Sequence, residues 1–136
     1  MRRAVMLHVE SELEEYHNTA REVLRMKNEI LFGVDSSDDN IGGGRSNVPG
    51  DPTGRAATLL MTHKRLNNMQ AVIDAITTVY ESLPPEKRLL VRLKYWTRPQ
   101  LLTWDGIARE LSVSERQARR WRTEIVAAIA NRLGWE

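Results

Sequence analysis

The sequence predicts an all-α protein in which a long N-terminal helical pair precedes a helix-turn-helix domain. Three observations predict it. Apolar residues recur at three- and four-residue spacing over most of the 136 residues, Gly- and Pro-rich punctuation separates the periodic stretches, and no run carries a convincing strand pattern.

Residues 5–32 predict the first helix. Met6, Val9, Leu13, Tyr16, Ala20, Val23 and Ile30 form its stripe, Leu24 and Leu31 widen it, and Lys27 interrupts it. Gly33 offers a stop, and the run from Val34 to Gly50, with Gly42-Gly43-Gly44 among Asp, Ser, Asn and Pro, predicts a flexible Gly/Ser-rich loop over 33–50. Asp51 as N-cap and Pro52 at the first helical position open a second helix, 52–82. Its seam is Leu59, Leu66, Met69, Ile73, Ile76, Tyr80 and Leu83, with a gap at Thr62. Two such seams make an antiparallel pair or an interface between copies of the chain, and periodicity does not choose between them. Their first duty is a core. Because a pair alone is too thin to hide both seams, a homo-oligomer through the long helices is expected. Residues 1–82 therefore form one predicted domain and 83–136 the other.

Pro84-Pro85 closes the second helix and opens a third, from Glu86 to about Trp96, with Leu89, Leu90, Leu93 and Trp96 on one face. After the connection Thr97–Gln100 come two more predicted helices, Trp104–Leu111 and Glu115 to about Leu133, separated only by Ser112-Val113-Ser114.

Composition narrows the function. The longest apolar run, Ile125 to Ala130, is six residues, against the roughly 18 a membrane span needs. No membrane partner is expected. The absence of cysteine removes disulfide frameworks, thiolate nucleophiles and Cys-based zinc sites, and fits a reducing cytoplasm. Met1-Arg2-Arg3 is basic, but His8, Glu10 and Glu12 follow before any apolar signal core can form. His8, His17 and His63 lack metal-ligand spacing, so no metal is expected. Gly42-Gly43-Gly44-Arg45-Ser46 lacks the Gly-Lys-Ser/Thr ending of a phosphate loop. No nucleophile, base and orienting group can be assembled, so neither enzyme activity nor a cofactor is expected.

Charge is unevenly placed. Residues 1–40 hold nine acids against five Lys/Arg, whereas residues 81–136 hold eleven Lys/Arg against seven acids. The basic half is the candidate for a polyanion, because a local field matters more than the total.

Within that half, the last two helices meet the demands of a helix-turn-helix: apolar or small residues where the helices cross, and a second helix with one face free. Trp104, Ile107, Ala108 and Leu111 give the first its buried stripe, with Thr103 as N-cap. Val113 plugs the turn, Ser114 caps the second helix, and Ala118, Trp121 and Ile125 face inward. Ser112 stands where such turns usually carry Gly, and a left-handed non-Gly residue costs about 1 kcal/mol. Facing away are Glu115, Arg116, Arg119, Arg120 and Thr123, with Gln117 near the exposed start. Arginine's planar fork pairs with guanine or phosphate, and glutamine with adenine. Arg116, Gln117 and Arg120 are therefore the expected base readers, with Arg119, Arg122 and Thr123 nearer the phosphates of double-stranded DNA. An Arg-rich helix alone more often makes a solvated face with weak surface pairs; the capped turn before it shifts the balance toward nucleic acid. Trp96, Trp104 and Trp121 fall at apolar spacing and are expected in the core, whereas spacing leaves Trp135 unconstrained.

From Leu83 onward, the order Leu-Pro, then Arg88, Leu93 and Tyr95, then Thr103-Trp104-Asp105-Gly106-Ile107-Ala108-Arg109-Glu110-Leu111, Val113-Ser114 and an Arg-rich helix resembles region 4 of bacterial sigma factors. The likeness covers about fifty residues. It implies a four-helix module reading the promoter's upstream element in the major groove, with Glu115, Arg116, Gln117, Arg119 and Arg120 at the contacting positions. Nothing upstream looks like the sigma domain that melts the promoter. Glu12-Leu13-Glu14-Glu15-Tyr16, the Gly/Ser-rich loop, Asp51-Pro52-Thr53 and the ending Leu133-Gly134 make the whole chain similar to phage late-gene transcriptional activators of the RinA and ArpU group. That resemblance implies a phage or prophage activator working with host RNA polymerase in the bacterial cytoplasm. Two rivals share the features: the DNA-recognition small subunit of a viral DNA-packaging terminase, and a protein-interaction module that grips RNA polymerase without reading DNA.

Overall fold

The computed structural model describes residues 1–32 and 52–135. The predicted loop at 33–50 and the predicted Asp51 cap lie outside them. The protein is all-helical over the described residues: α1 (Arg3–Glu14), α2 (Tyr16–Phe32), α3 (Pro52–Ser82), α4 (Pro85–Tyr95), α5 (Trp104–Leu111) and α6 (Glu115–Leu133).

The helix predicted as continuous over 5–32 is interrupted at Glu15. The cause is tertiary. Trp96 donates its indole N–H to the Leu13 carbonyl at 2.9 Å, and Arg98 donates to the Glu14 carbonyl at 2.9 Å. Groups that take carbonyls out of the i→i−4 ladder end a helix or bend it. Other helix ends follow the same logic. Arg88 donates to the carbonyls of Tyr80 and Glu81 at the end of α3, and the Gln100 amide donates to those of Leu93 and Lys94 at the end of α4. A cation there also complements the helix dipole. Pro85 opens α4 at its first turn, where a missing N–H costs nothing.

The chain divides into two compact units, Met1–His17 with Val72–Glu136, and Asn18–Ala71. This differs from the predicted division at residue 82, because packing does not follow chain order. In the first unit the apolar face of α1, Val9 and Leu13, shares a core with Ile76 and Val79 of α3, Leu90 and Val91 of α4, Ile107 of α5, and Ile125, Val126 and Ile129 of α6. Each such side chain, fully buried, contributes about 1.5–3 kcal/mol. Half-buried Tyr16, Tyr80 and Trp96 pack against it, with Tyr16 stacked on Trp96 at 5.1 Å and bonded to Thr77 at 2.6 Å. The N-terminal helix thus belongs to the body that carries the helix-turn-helix.

The second unit buries Val23, Met26 and Leu66. Of the predicted seams, Leu24, Ile30, Leu31 and Leu59 are exposed, and so are Phe32, Leu60 and Met61. Met26, outside the predicted stripe, is buried beside Val23. Arg25 pairs with both Glu22 and Glu29 along the outer face of α2. The hydrogen bond from Arg25 holds the Glu22 carboxyl below its ordinary range.

Candidate nucleic-acid interface

The turn between α5 and α6 is built as its residues dictate. Thr103 Oγ1 accepts from the Gly106 N–H at 3.2 Å and fixes the start of α5. Ser112 adopts the left-handed conformation, φ 59°, and ends it. Ser112 N–H then reaches the Arg109 carbonyl at 3.1 Å and Val113 N–H the Ala108 carbonyl at 3.0 Å, the paired bonds of a Schellman stop. Val113 packs against the core. Ser114 Oγ accepts from Gln117 N–H at 3.0 Å, starting α6 with only three residues between it and the end of α5. Ala108 and Ala118, small where the two helices pack, are both buried. At its far end α6 stops at left-handed Gly134, φ 74°, and Trp135 beyond it stacks on His8 of α1 at 4.2 Å.

This arrangement leaves one face of α6 open. Glu115, Arg116, Arg119, Arg120 and Thr123 are exposed, and Gln117 is half-buried at the helix start. Among the described residues neither Arg116 nor Arg120 has an ion-pair or hydrogen-bond partner. Arg119 pairs with Glu115 at 2.9 Å and lies 5.1 Å from the centre of the Trp104 ring. An exposed pair of this i, i+4 kind is worth a few tenths of a kcal/mol, so a phosphate can displace it. Thr123 donates its hydroxyl to the Arg119 carbonyl at 3.1 Å.

Arg122 departs from the expectation that it lies near phosphates. Its side chain is 17% exposed and pairs with Glu10 of α1, itself 15% exposed, at 3.0 Å. The sequence carried the signal: 118, 122, 125 and 129 are one helical stripe, and the other three are buried. Glu10 also accepts from the Tyr95 hydroxyl at 2.5 Å. Burial first, and the neighbouring Glu10 carboxylate second, push the Tyr95 hydroxyl above the ordinary tyrosine range, so it stays a proton donor.

Lys94 of α4 is a residue that sequence reading missed. Its ammonium lies 5.6 Å from the centre of Trp104, the ring that Arg119 and Arg122 also approach. Three cations thus gather around one half-buried indole, whose electron-rich faces tolerate them. Arg122 is balanced by Glu10 and Arg119 shares Glu115, whereas Lys94 has no ion pair among the described residues. No sequence signal marked Lys94, because its place beside Arg119 depends on how α4, α5 and α6 pack. Trp96, Trp104 and Trp121 pack against the core.

Among the described residues no group of three or more His, Asp or Glu could hold a metal ion. No described helix is long and apolar enough to cross a membrane.

The model of a family described as "Protein of unknown function (DUF722)" matches residues 10–131, and the chain belongs to that family. No curated protein and no solved structure matches it.

Proposed function

We propose that this member of the DUF722 family binds double-stranded DNA sequence-specifically and regulates transcription, with α6 as the helix that enters the major groove. The observation that carries the reading is the open arginine face of α6, held behind a capped turn and an apolar inner face. Arg116, Gln117 and Arg120 read base edges, Arg119 and Thr123 sit nearer the phosphates, and Glu115 yields Arg119 to the backbone when DNA arrives. Lys94 adds a phosphate contact on the flank.

The resemblance of residues 83–134 to sigma region 4, and of the chain to RinA and ArpU activators, supports activation of phage late genes together with host RNA polymerase in the bacterial cytoplasm. The exposed apolar residues of α2 and early α3 suit association of copies through the long helices. A two-fold oligomer would place two reading heads on paired half-sites.

Footprinting of the purified protein on phage or host DNA, with and without RNA polymerase, tests the reading. A discrete footprint, extended by polymerase and lost on Arg116→Ala plus Arg120→Ala, is the expected result. An unchanged footprint in the double variant would remove the assignment of α6. A ring of eight or more copies bound to DNA, without transcriptional stimulation, would favour the packaging subunit instead.

A further inference from the structure

On α6, one charge turns away from the open arginine face. Arg122 turns into the domain, its Nε buried without a hydrogen-bond partner among the described residues and its guanidinium 5.1 Å from the centre of Trp104. One terminal nitrogen reaches Glu10 Oε2 at 3.0 Å, and the same oxygen accepts from Tyr95 at 2.5 Å. Three helices, α1, α4 and α6, therefore meet at one carboxylate oxygen, from positions 85 and 112 residues away from Glu10.

A pair buried to this extent, 17% and 15% exposed, adds little stability over apolar side chains of similar volume, because desolvation offsets most of the attraction. What it adds is direction. The apolar side of α6, Ala118, Ile125, Val126, Ile129 and Ala130, is held by burial that is non-directional. A turn of about 20° displaces a side chain on a helix of about 5 Å radius by roughly 2 Å. Reading a base edge tolerates only about 0.5 Å. Without a directional tether, Arg116 and Arg120 would reach phosphates, which extend along the whole backbone, but would lose register with particular bases.

We infer that Glu10 is a positioning residue for DNA reading: through Arg122 and Tyr95 it fixes the rotation of α6, so that the N-terminal helix sets sequence discrimination without touching DNA. This rests on the function proposed above. It gives α1 a task in the reading head that neither the helix-turn-helix nor its likeness to sigma region 4 supplies.

The test uses the full chain and two probes: a duplex selected by the unaltered protein from a random pool, and a shuffled duplex of equal length. Glu10→Gln keeps an acceptor for Tyr95 but removes the charge opposite Arg122. Its ratio of selected to shuffled affinity is expected to fall by about ten-fold or more, while shuffled affinity and its salt slope stay within about two-fold. Arg122→Lys keeps the charge without the fork and should lose an intermediate amount. Glu10→Gln with Arg122→Met leaves no unpaired buried charge, so it folds even where the single variant does not, and it should show the same loss. A wild-type ratio in that double variant, or a lower melting temperature with an unaltered ratio in Glu10→Gln, overturns the assignment. A selection that enriches no sequence for the unaltered chain would instead remove the DNA-reading function itself.

Discussion

Trp96 donates its indole N–H to the carbonyl of Leu13, a 2.9 Å bond across 83 residues of sequence. The bond gives the Leu13 carbonyl, which also accepts a backbone N–H at the end of α1, a second donor, and the ring above it packs on Tyr16 and Tyr80. Trp96→Phe keeps most of the packing and loses the donor. A destabilisation of about 1–2 kcal/mol is expected, read as a lower urea midpoint with an unchanged slope. A shift of only a few tenths would mean that water replaces the indole at no cost.

Ser112 holds φ 59° in the turn of the helix-turn-helix. A non-Gly residue there costs about 1 kcal/mol, and Gly gives part of that back as extra freedom of the unfolded chain. Ser112→Gly should therefore stabilise the protein by about 0.5 kcal/mol, whereas Ser112→Val, β-branched at a positive φ, should destabilise it by more than about 1 kcal/mol. Thermal unfolding of the two variants distinguishes them, with opposite signs expected.

Tyr95 links stability to alkaline pH. Its hydroxyl is raised in the folded state by burial and by Glu10, so the folded protein binds its proton more tightly than the unfolded chain does. The resulting stabilisation is present in full below the ordinary tyrosine value near 10 and is lost as pH rises beyond it. The stability difference between wild type and Tyr95→Phe should be constant through neutral pH and shrink above about pH 10. Denaturant midpoints of the pair measured from pH 7 to 11 check this, and parallel curves throughout would contradict it.

Lys94 stands beside Arg119 at Trp104. If it meets one backbone phosphate, Lys94→Gln should weaken binding equally for selected and shuffled duplexes. It should also lower the slope of log affinity against log salt by about one unit. Arg116→Ala differs in kind, since the loss should fall mainly on the selected duplex. Titrations at several salt concentrations separate the two, and an unchanged slope would place Lys94 outside the interface.

Short-range chemistry was legible in the sequence. Thr103 and Ser114 cap the helices they precede, Ser112 takes the strained turn, and Ala118 and Ile125 face inward, all from spacing alone. What stayed hidden depends on partners far along the chain. The break at Glu15 is made by Trp96 and Arg98, and the inward turn of Arg122 by Glu10. Arginine reads as a surface residue, so the sequence shows the stripe that includes 122 only through its apolar members. The stripe of 5–32 reads as one surface, whereas Val9 and Leu13 serve the first unit and Val23 and Met26 the second. Periodicity shows that a face is apolar and leaves open which partner covers it.

The sharing of one core by Val9 and Leu13 with Ile125, Val126 and Ile129 sets an order of events during synthesis. While the ribosome still holds α6, α1 has only α3, α4 and α5 to cover it, and part of its greasy side waits, exposed or chaperoned, until α6 is released. A product terminated before α6 would leave that core open, so the first unit cannot close until α6 joins it.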